Sequence, residues 1–362
     1  MSTVYFASAH VDRIAREAAL PAKFERLLKK CRLERRFKDK TVAVKMHVGG
    51  GINCTTIHPV FVRQVIQAIK DAGGRPFCTD SSRAVGRAKD RGYTEEVLGA
   101  RIIPIGGVAD TYNYRVRIGY RSLRAVELSG NVVDADAMLV LSHGKGHGHS
   151  GFGGAIKNIA MGCVRQRSRG DIHRLMETHF RWDEEACTHC YQCVEGCPTD
   201  AARFDDDGKL RINDHHCRYC MHCVMACPAD AIEIDRHSYV YFHRGMARTV
   251  KAVLATFEPG SVFYVTVLTN ITPLCDCWGF STPALVPDVG IVAGDDVVAV
   301  EQAALDLIKA ENYIPGTLPD QITIQGDGHL FQRIWGVDPY VQVQAAEKLG
   351  LGTAEYRLVA IK

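Results

Sequence analysis

The sequence has no long uninterrupted apolar run. Nowhere in its 362 residues do about eighteen apolar residues, the length that crosses a bilayer, follow one another without a charge. The most apolar stretch, residues 261–274, is too short and too rich in β-branched residues for a membrane helix. The first residues also lack the apolar core of a secretory signal, because Arg13 and Arg16 interrupt it. We therefore expect a soluble, cytoplasmic protein without a membrane partner.

Low-complexity segments and blocks of one charge are also missing. Hydrophobic residues make up 46% of the chain and charged residues 23%, which is ordinary globular composition. The length exceeds what one hydrophobic core usually serves, so a main domain with at least one smaller unit is expected.

The net charge of +3 is small but unevenly distributed. Positions 181–237 contain 12 acidic and 6 basic residues, whereas the rest of the chain contains 29 acidic and 38 basic residues. Two interpretations stay open. The asymmetry orients the acidic segment on its basic host or steers a charged redox partner, or it only reflects the composition of solvated faces.

The sequence contains fourteen cysteines, and its first residues predict no export. The cytosol keeps thiols reduced, so metal ligation explains them better than disulfides do. Two segments, CTHCYQCVEGCP and CRYCMHCVMACP, form an internal repeat, and each ends with a proline. Both resemble the C-x2-C-x2-C-x3-C-P run of two-cluster bacterial ferredoxins, in which the fourth cysteine ligates the other cluster.

This resemblance predicts two [4Fe–4S] clusters with crossed ligands. One set is Cys187, Cys190, Cys193 and Cys227, and the other is Cys217, Cys220, Cys223 and Cys197. A pair of zinc sites is the alternative, but two equal three-plus-one runs have no natural zinc counterpart. The intervening sequence DAARFDDDGKLRINDHH predicts a small β-hairpin around its Asp-Gly turn. Histidines 189, 215, 216 and 222 fall off the ligand register, so we place them around the ligands or on the surface.

Strand and helix patterns alternate on both sides of the cysteines. TVAVKMHV, RPFCTDSS, ADAMLVLSH, SVFYVTVLTNI and PDVGIVAGDD read as strands, and HPVFVRQVIQAIKDAGG and VVAVEQAALDLIKA as helices. The alternation predicts an α/β fold, with a mostly parallel sheet covered by helices on both faces. We predict one host domain from residues 1–180 and 239–362, with an inserted α+β ferredoxin-like unit at residues 181–238.

Polar, glycine-rich loops follow four of these strands, where ligands of parallel sheets bind. The candidate acid–base groups or metal ligands are His47, His58, His143, His147 and His149, and the candidate anion contacts are Lys145 and Lys157. The lysines favour a small anionic substrate, a carboxylate or a phosphate, although a solvated basic rim explains them equally well. The glycines alone are a weak phosphate-loop signal, and GFGGAIKN lacks the order of a Walker motif.

Cys275 and Cys277 flank an aspartate at a spacing too tight for an unstrained disulfide. Three alternatives stay open for this pair: a third metal site, a reactive thiol, and packing against Trp278. Cys31, Cys54, Cys78 and Cys163 have no ligand spacing with one another and are expected to be free thiols. Of these four, Cys54 and Cys163 fall in the suspected rim and are candidates to join the pair.

The succession of GGGIN, DSS, GFGGAIKNIAMG, CDCWG and VGIVAGDD resembles an uncharacterised group of iron–sulfur proteins, the domain-of-unknown-function family 362. The resemblance spans nearly the whole chain. It implies that these loops are the working surface and that the cysteine repeat is the inserted two-cluster unit often found in members. It implies no substrate.

Three functions compete on these observations. The first is a reductase that passes single electrons from the clusters, supplied by a redox partner or electron donor, to a substrate or further metal centre. The second is a non-enzymatic electron carrier, and the third is a maturation factor for a metal or cluster. Nucleic-acid binding ranks last, because the basic patch at Arg165, Arg167, Arg169 and Arg174 comes without a nucleic-acid motif.

Overall fold

The structure, a computed structural model, describes residues 1–197, 200–212, 222–234, 237–318 and 322–362. Two of the predicted cluster ligands, Cys217 and Cys220, lie outside the described residues, as do His215 and His216.

Strands occur along the whole described chain. In chain order they are β1 (Ser2–Ser8), β2 (Thr41–Met46), β3 (Arg75–Asp80), β4 (Ile102–Pro104), β5 (Asn113–Tyr120), β6 (Leu123–Ser129), β7 (Ala137–His143), β8 (Gly146–His147), β9 (Gly151–Phe152), β10 (Phe180–Trp182), β11 (Ala202–Phe204), β12 (Leu210–Ile212), β13 (Ile232–Ile234), β14 (Val262–Leu268), β15 (Gly290–Gly294) and β16 (Tyr356–Ala360).

Helices fall between these strands. They are α1 (Leu20–Lys30), α2 (Glu34–Phe37), α3 (Pro59–Asp71), α4 (Ser82–Val85), α5 (Glu95–Leu98), α6 (Gly130–Val133), α7 (Ala155–Gly162), α8 (Gln166–His173), α9 (Gln192–Glu195), α10 (His222–Met225), α11 (His237–Leu254), α12 (Val297–Leu307), α13 (Leu330–Trp335) and α14 (Tyr340–Glu347). Within the described parts of the chain, none combines the length and the apolar character needed to cross a lipid bilayer.

An eight-stranded sheet organises the chain, in the order β16-β1-β15-β14-β7-β2-β3-β4. All neighbours run parallel except β15, which is antiparallel to both β1 and β14. The predicted α/β class with a mostly parallel sheet is therefore confirmed. Its central strand β7 is buried at every position, as expected for a strand covered on both faces.

Side-chain alternation on β2 separates two hydrophobic cores. Val42 and Val44 face a core with α1 and α3, whereas Ala43 faces the core formed with α7, α11 and α12. Helices thus cover both faces of the sheet, as predicted.

Helix α3 shows how the sequence sets local structure. Pro59 occupies the first turn, where a missing N–H costs nothing, and the His58 ring accepts a hydrogen bond from Val60 N at 3.2 Å. Apolar residues at 61, 62, 65, 66 and 69 then recur with helical period and are buried. His58, predicted as a catalytic candidate, thus caps a helix.

The cysteine-rich segment forms its own small elements. β11 and β12 pair antiparallel around the predicted Asp-Gly turn, and β10 pairs with β13. A separate small core contains Cys193, Ala202, Leu210 and Ile232. β7, before this segment, pairs directly with β14, after it, so the large sheet contains strands from both sides. The boundaries at 181 and 238 stay a prediction.

Candidate functional site

The loops after β2, β3, β7 and β14 meet at the carboxyl edge of the sheet, which we call the rim. The 3-10 turn Asp276–Trp278 follows β14 and lies against the loop after β2. There the backbones touch: Ile52 N donates to Gly279 O at 2.8 Å. A Cβ on Gly51, whose φ is +50°, would stand 2.1 Å from that same oxygen, so only glycine allows this approach.

Asp276 is the hub that holds these loops together. Its Oδ1 accepts hydrogen bonds from Asn53 at 2.8 Å and from Lys145 at 2.7 Å, and its Oδ2 lies 2.7 Å from His143 Nδ1. The carboxylate is fully buried. Burial alone would raise the pKa of Asp276, but His143 and Lys145 hold it well below its usual range. The hub is therefore a buried anion with two basic partners.

Both ring nitrogens of His143 are committed. Nε2 lies 2.7 Å from the carbonyl oxygen of Thr269, and Nδ1 faces the Asp276 carboxylate. Because both partners can only accept, both nitrogens must donate, and the ring is an imidazolium. His143 was predicted as an acid–base group or metal ligand; in the structure it has no free lone pair for either role.

Lys145 is equally committed. Its ammonium donates to Asp276 Oδ1 and to the Thr55 carbonyl and hydroxyl at 2.9 and 2.8 Å. An ammonium group has three protons, so these bonds use its whole capacity. This candidate anion contact ties the loop after β7 to the loop after β2.

A second buried ion pair lies on the neighbouring strands. Lys45, from β2, donates to Asp80 at 3.2 Å and to Asn158 at 2.7 Å, and Asp80 also accepts from the Val48 and Ser81 amides. Sequence reasoning missed Lys45. A lysine inside an otherwise apolar strand was the available signal, because a charge is buried only with a partner.

Asp80 also orients His47. The ring Nδ1 lies 3.3 Å from Asp80 Oδ2, which leaves Nε2 pointing away. Nε2 is buried beside Cys275 and has no hydrogen-bond partner of ordinary geometry within the described residues. Burial favours the neutral ring, but Asp80 and Cys275 outweigh it and raise the pKa of His47 to about 9.

His47, Cys275 and Cys277 come together at the rim. One ligand atom from each lies within 4.8 Å of the other two. Lys157 on α7 places its ammonium 3.8 Å from both sulfurs. The hydrogen bond from Cys277, with the charges of Lys157 and His47, holds the pKa of Cys275 well below its ordinary value. The same hydrogen bond, with burial, raises the pKa of Cys277, so Cys275 is the more acidic thiol of the pair.

The other flagged thiols stay outside this group. The Cys54 sulfur lies 3.5 Å from the Ser281 hydroxyl, and Cys163 is buried, which raises the pKa of its thiol to about 12. Neither joins Cys275 and Cys277 among the described ligand atoms.

His147 and His149 lie in the turn between β8 and β9. His147 Nδ1 accepts from the amides of His149 and Ser150 at 3.2 and 3.3 Å, which fixes the proton of the neutral ring on Nε2. Burial, with the charge of Lys157, holds the pKa of His147 well below its usual range. His149 packs between His147 and His173, with ring centroids 5.2 Å apart in each case. Both rings are neutral, buried members of the rim interior.

The glycine-rich GFGGAIKN stretch begins α7, but its helix start is occupied from within. Glu301 of α12 places Oε2 2.6 Å from Ala155 N, at the first residue of the helix. A carboxyl group in this position fills the place that a bound phosphate would need. The weak phosphate-loop signal is thus explained by an internal cap.

Glu301 predicts a pH effect. Burial raises its pKa from 4.5 to about 8, so the folded state binds this proton more tightly than the unfolded state does. The stability that this proton gives the folded state is fully present below about pH 4.5 and is lost as the pH rises through 8. We expect the free energy of unfolding of Glu301→Gln to match that of the native chain at pH 5. At pH 9 it should be higher than that of the native chain by up to about 4 kcal/mol. Urea unfolding at both pH values measures this.

The matched control is Glu311→Gln, which changes an exposed glutamate. Its stability difference from the native chain should not vary with pH. An equal pH dependence in both variants would contradict the assignment to Glu301.

The cysteine-rich segment encloses a separate space. Cys187, Cys190, Cys193 and Cys227 line one concave pocket, partly open to solvent. Aromatic and aliphatic side chains complete its wall, among them Trp182, Tyr191, Phe204, Leu210 and Ile232. Three cysteines of the first run and the last of the second therefore surround one space.

The fourth cysteine of each run accepts a backbone hydrogen bond. Ala201 N donates to the Cys197 sulfur at 3.2 Å, and Ala231 N to the Cys227 sulfur at 3.3 Å. The two halves of the repeat thus share this feature, and N–H donors of this kind stabilise negative charge on sulfur.

One contact joins this segment to the rim. The ring of His222, the residue before Cys223, lies 4.0 Å from that of Trp278, the residue after Cys277, measured between centroids. Its Nδ1 also lies 3.2 Å from the carbonyl oxygen of Gly196, the residue before Cys197. The cysteine-rich segment and the Cys275–Cys277 turn are thus in direct side-chain contact.

Comparisons with known proteins establish the family and little else. No curated protein sequence matches the chain. Among solved structures, the lactate racemase apoprotein from Thermoanaerobacterium thermosaccharolyticum aligns over 74% of this chain, with 10% identity and a TM-score of 0.32. The chain spans 51% of that racemase chain, and so slight a likeness carries no functional meaning.

A family model described as a domain of unknown function, DUF362, matches residues 42–306. The match runs from β2 into α12 and includes every rim loop described above. This confirms the resemblance found in the sequence at the level of the family. The chain belongs to the DUF362 family.

Proposed function

We propose that the chain is an iron–sulfur reductase. Residues 181–238 hold two [4Fe–4S] clusters, and single electrons pass from them to a substrate or further metal centre at the rim. The contact between His222 and Trp278 carries this proposal, because it joins the cysteine-rich segment to the Cys275–Cys277 turn.

The residues present fit the clusters. Cys187, Cys190, Cys193 and Cys227 are the donor set expected for one cubane with crossed ligands. A zinc ion would draw four sulfurs to about 2.3 Å from itself. Three cysteines of one run and the last of the other around one pocket match a cubane with crossed ligands better than a single zinc ion.

His222 is well placed to couple the two regions. It directly precedes Cys223 and lies against Gly196, which directly precedes Cys197. Both cysteines belong to the set proposed for the second cluster. The clusters, when bound, supply electrons singly and at low potential. The His222 ring, in contact with Trp278, gives a short route from that ligand set to Cys277.

A substrate that receives electrons gains negative charge, and the rim offers a hydrogen-bond donor and positive charge to it. His147 holds its proton on Nε2, and the charges of Lys157 and His47 act on its ring. Lys157 lies against both rim sulfurs and stabilises negative charge there. The basic side chains also favour an anionic substrate.

Replacing Trp278 by leucine tests the route. Reduced protein is mixed anaerobically with a panel of reducible small carboxylates, and reoxidation of the clusters is followed by visible absorbance. We expect Trp278→Leu to slow reoxidation by every carboxylate that reacts, because the ring contact with His222 is lost. Iron content and reduction potentials should not change.

Phe280→Leu is the matched control. Phe280 is an exposed aromatic residue two positions away, packed edge-on against Trp278 at 6.4 Å. It should react as the native chain does. If both variants reoxidise at the native rate, electrons leave by another face and the electron-carrier alternative is favoured.

A further inference from the structure

We propose that His47, Cys275 and Cys277 bind one divalent transition-metal ion and leave a coordination position open for an exogenous ligand. This deepens the proposed function, on which it rests for its role, because it names the centre that would hold the substrate receiving the electrons. Binding of the ion itself requires no cluster.

The ligand atoms are already gathered. Within the described residues, these three side chains each offer one atom within 4.8 Å of the other two. Two thiolates and one imidazole suit zinc or ferrous iron, and a catalytic zinc site of two cysteines and one histidine is a known type. Magnesium and calcium prefer oxygen ligands and are disfavoured.

The histidine is oriented in the manner of a metal ligand. Asp80 lies 3.3 Å from Nδ1, so the carboxylate fixes the ring and leaves Nε2 as the nitrogen available to a metal ion. A carboxylate on the far nitrogen is the usual support for a ligating histidine. Nε2 is buried and lacks a hydrogen-bond partner of ordinary geometry among the described residues. A metal ion would satisfy this orphaned atom.

The two cysteines are held on a rigid turn. Asp276 stands between them and is fixed by His143, Lys145 and Asn53. The backbone contact between Gly51 and Gly279 closes the same turn from the other side. The sulfurs are thus positioned by contacts that do not involve the metal.

Nearby carboxylates cannot supply a fourth ligand without breaking other bonds. Both oxygens of Asp80 are used, by Lys45 and Ser81 on one side and by His47 and Val48 on the other. Both oxygens of Asp276 are used as well. Three protein ligands with one open position is the arrangement of catalytic metal sites, whereas structural sites are closed.

The charges also balance. A divalent ion neutralises two thiolates, and Lys157 donates toward both sulfurs from 3.8 Å. The added positive charge next to the open position favours an anion there, in agreement with a carboxylate substrate.

Cobalt(II) is the probe, because its signals are separate from those of cluster iron. Full-length protein is purified anaerobically, freed of labile metal with a chelator, given Co²⁺ and desalted. Cobalt is counted by mass spectrometry, and its ligands are read from cobalt K-edge X-ray absorption. We expect about one cobalt per chain, with two sulfur neighbours and at least one nitrogen neighbour.

Variants locate the site. Cys275→Ser/Cys277→Ser should retain no cobalt. Loss of the hydrogen-bond partner of a metal ligand costs about 10- to 100-fold in metal affinity. His47→Ala removes a ligand itself and should weaken cobalt binding by more than that. Cys54→Ser removes an exposed thiol of the same rim and should bind cobalt as the native chain does. Circular dichroism and cluster iron content confirm that each variant is folded.

Native protein without stoichiometric cobalt, or cobalt that persists in the double serine variant, would overturn the proposal. An absorption spectrum with only oxygen and nitrogen neighbours would do the same. Failure of the proposed function looks different: cobalt would bind as expected while iron and sulfide analysis found no clusters.

Discussion

Replacing Asp276 by asparagine should destabilise the folded chain by about 3–5 kcal/mol. The amide keeps the shape of the side chain and one acceptor oxygen but removes the negative charge. The side chains of Lys145 and His143 are each 1% exposed, so both cations would stay buried without a counter-charge. Urea unfolding followed by circular dichroism measures the loss.

Two further variants test the reason for this loss. Asp295→Asn removes one partner of an exposed ion pair with Arg36, and such pairs contribute about 1 kcal/mol or less. Adding Lys145→Met to Asp276→Asn should restore part of the stability, because one unpaired cation disappears. If Asp276→Asn were no more costly than Asp295→Asn, the hub would not be the buried ion cluster described here.

Crossed ligation should appear as a difference between two double variants. If Cys187 and Cys227 hold the same cluster, Cys187→Ala/Cys227→Ala removes one cluster and leaves about four of about eight irons per chain. Cys187→Ala/Cys197→Ala, with equally many thiols removed, damages both ligand sets and should leave almost no iron. The cavity lined by Cys187, Cys190, Cys193 and Cys227 is the reason for this expectation.

Iron and sulfide analysis, with electron paramagnetic resonance of the reduced protein, measures both variants. The reverse result, about four irons in Cys187→Ala/Cys197→Ala and almost none in Cys187→Ala/Cys227→Ala, would mean that each run holds its own cluster. Cys31→Ala, a change to a cysteine outside both runs, should keep the native iron content.

The large sheet could be read from the sequence because most of its inner strands are largely apolar runs. β2, β7 and β14 lie where such runs predicted them, and β3, which carries Arg75 and Asp80, lies where the alternation of strands and helices predicted it. An apolar run also predicted β15. Its antiparallel direction could not be predicted, because burial on both faces does not encode strand direction. The β5–β6 hairpin was missed because β5 has no buried position that would mark it as a core strand, although β6 has several.

The rim was predictable as a place, but the roles of its residues were not. His143 and Lys145 looked like catalytic groups because their partner, Asp276, is 133 and 131 positions away in sequence. Lys45 escaped notice for the same reason, since its partner Asp80 comes from another strand. The association of His47 with Cys275 and Cys277 likewise appears only once distant loops meet. Local patterns reveal which residue types are unusual, whereas pairing decides what they do.

The position of β14 in the sheet also has a consequence for biosynthesis. β7 leaves the ribosome early, but its neighbour β14 is made only after the entire cysteine-rich segment, and Cys275 follows Cys227 by 48 positions. At ordinary translation rates that last interval is about 2–10 s. Until then the nascent chain presents the open, apolar edge of β7, a template for pairing with other chains. If the cysteine-rich segment binds its clusters as proposed, their loading can begin before the rim exists, and stalled translation there would leave this apolar edge uncovered.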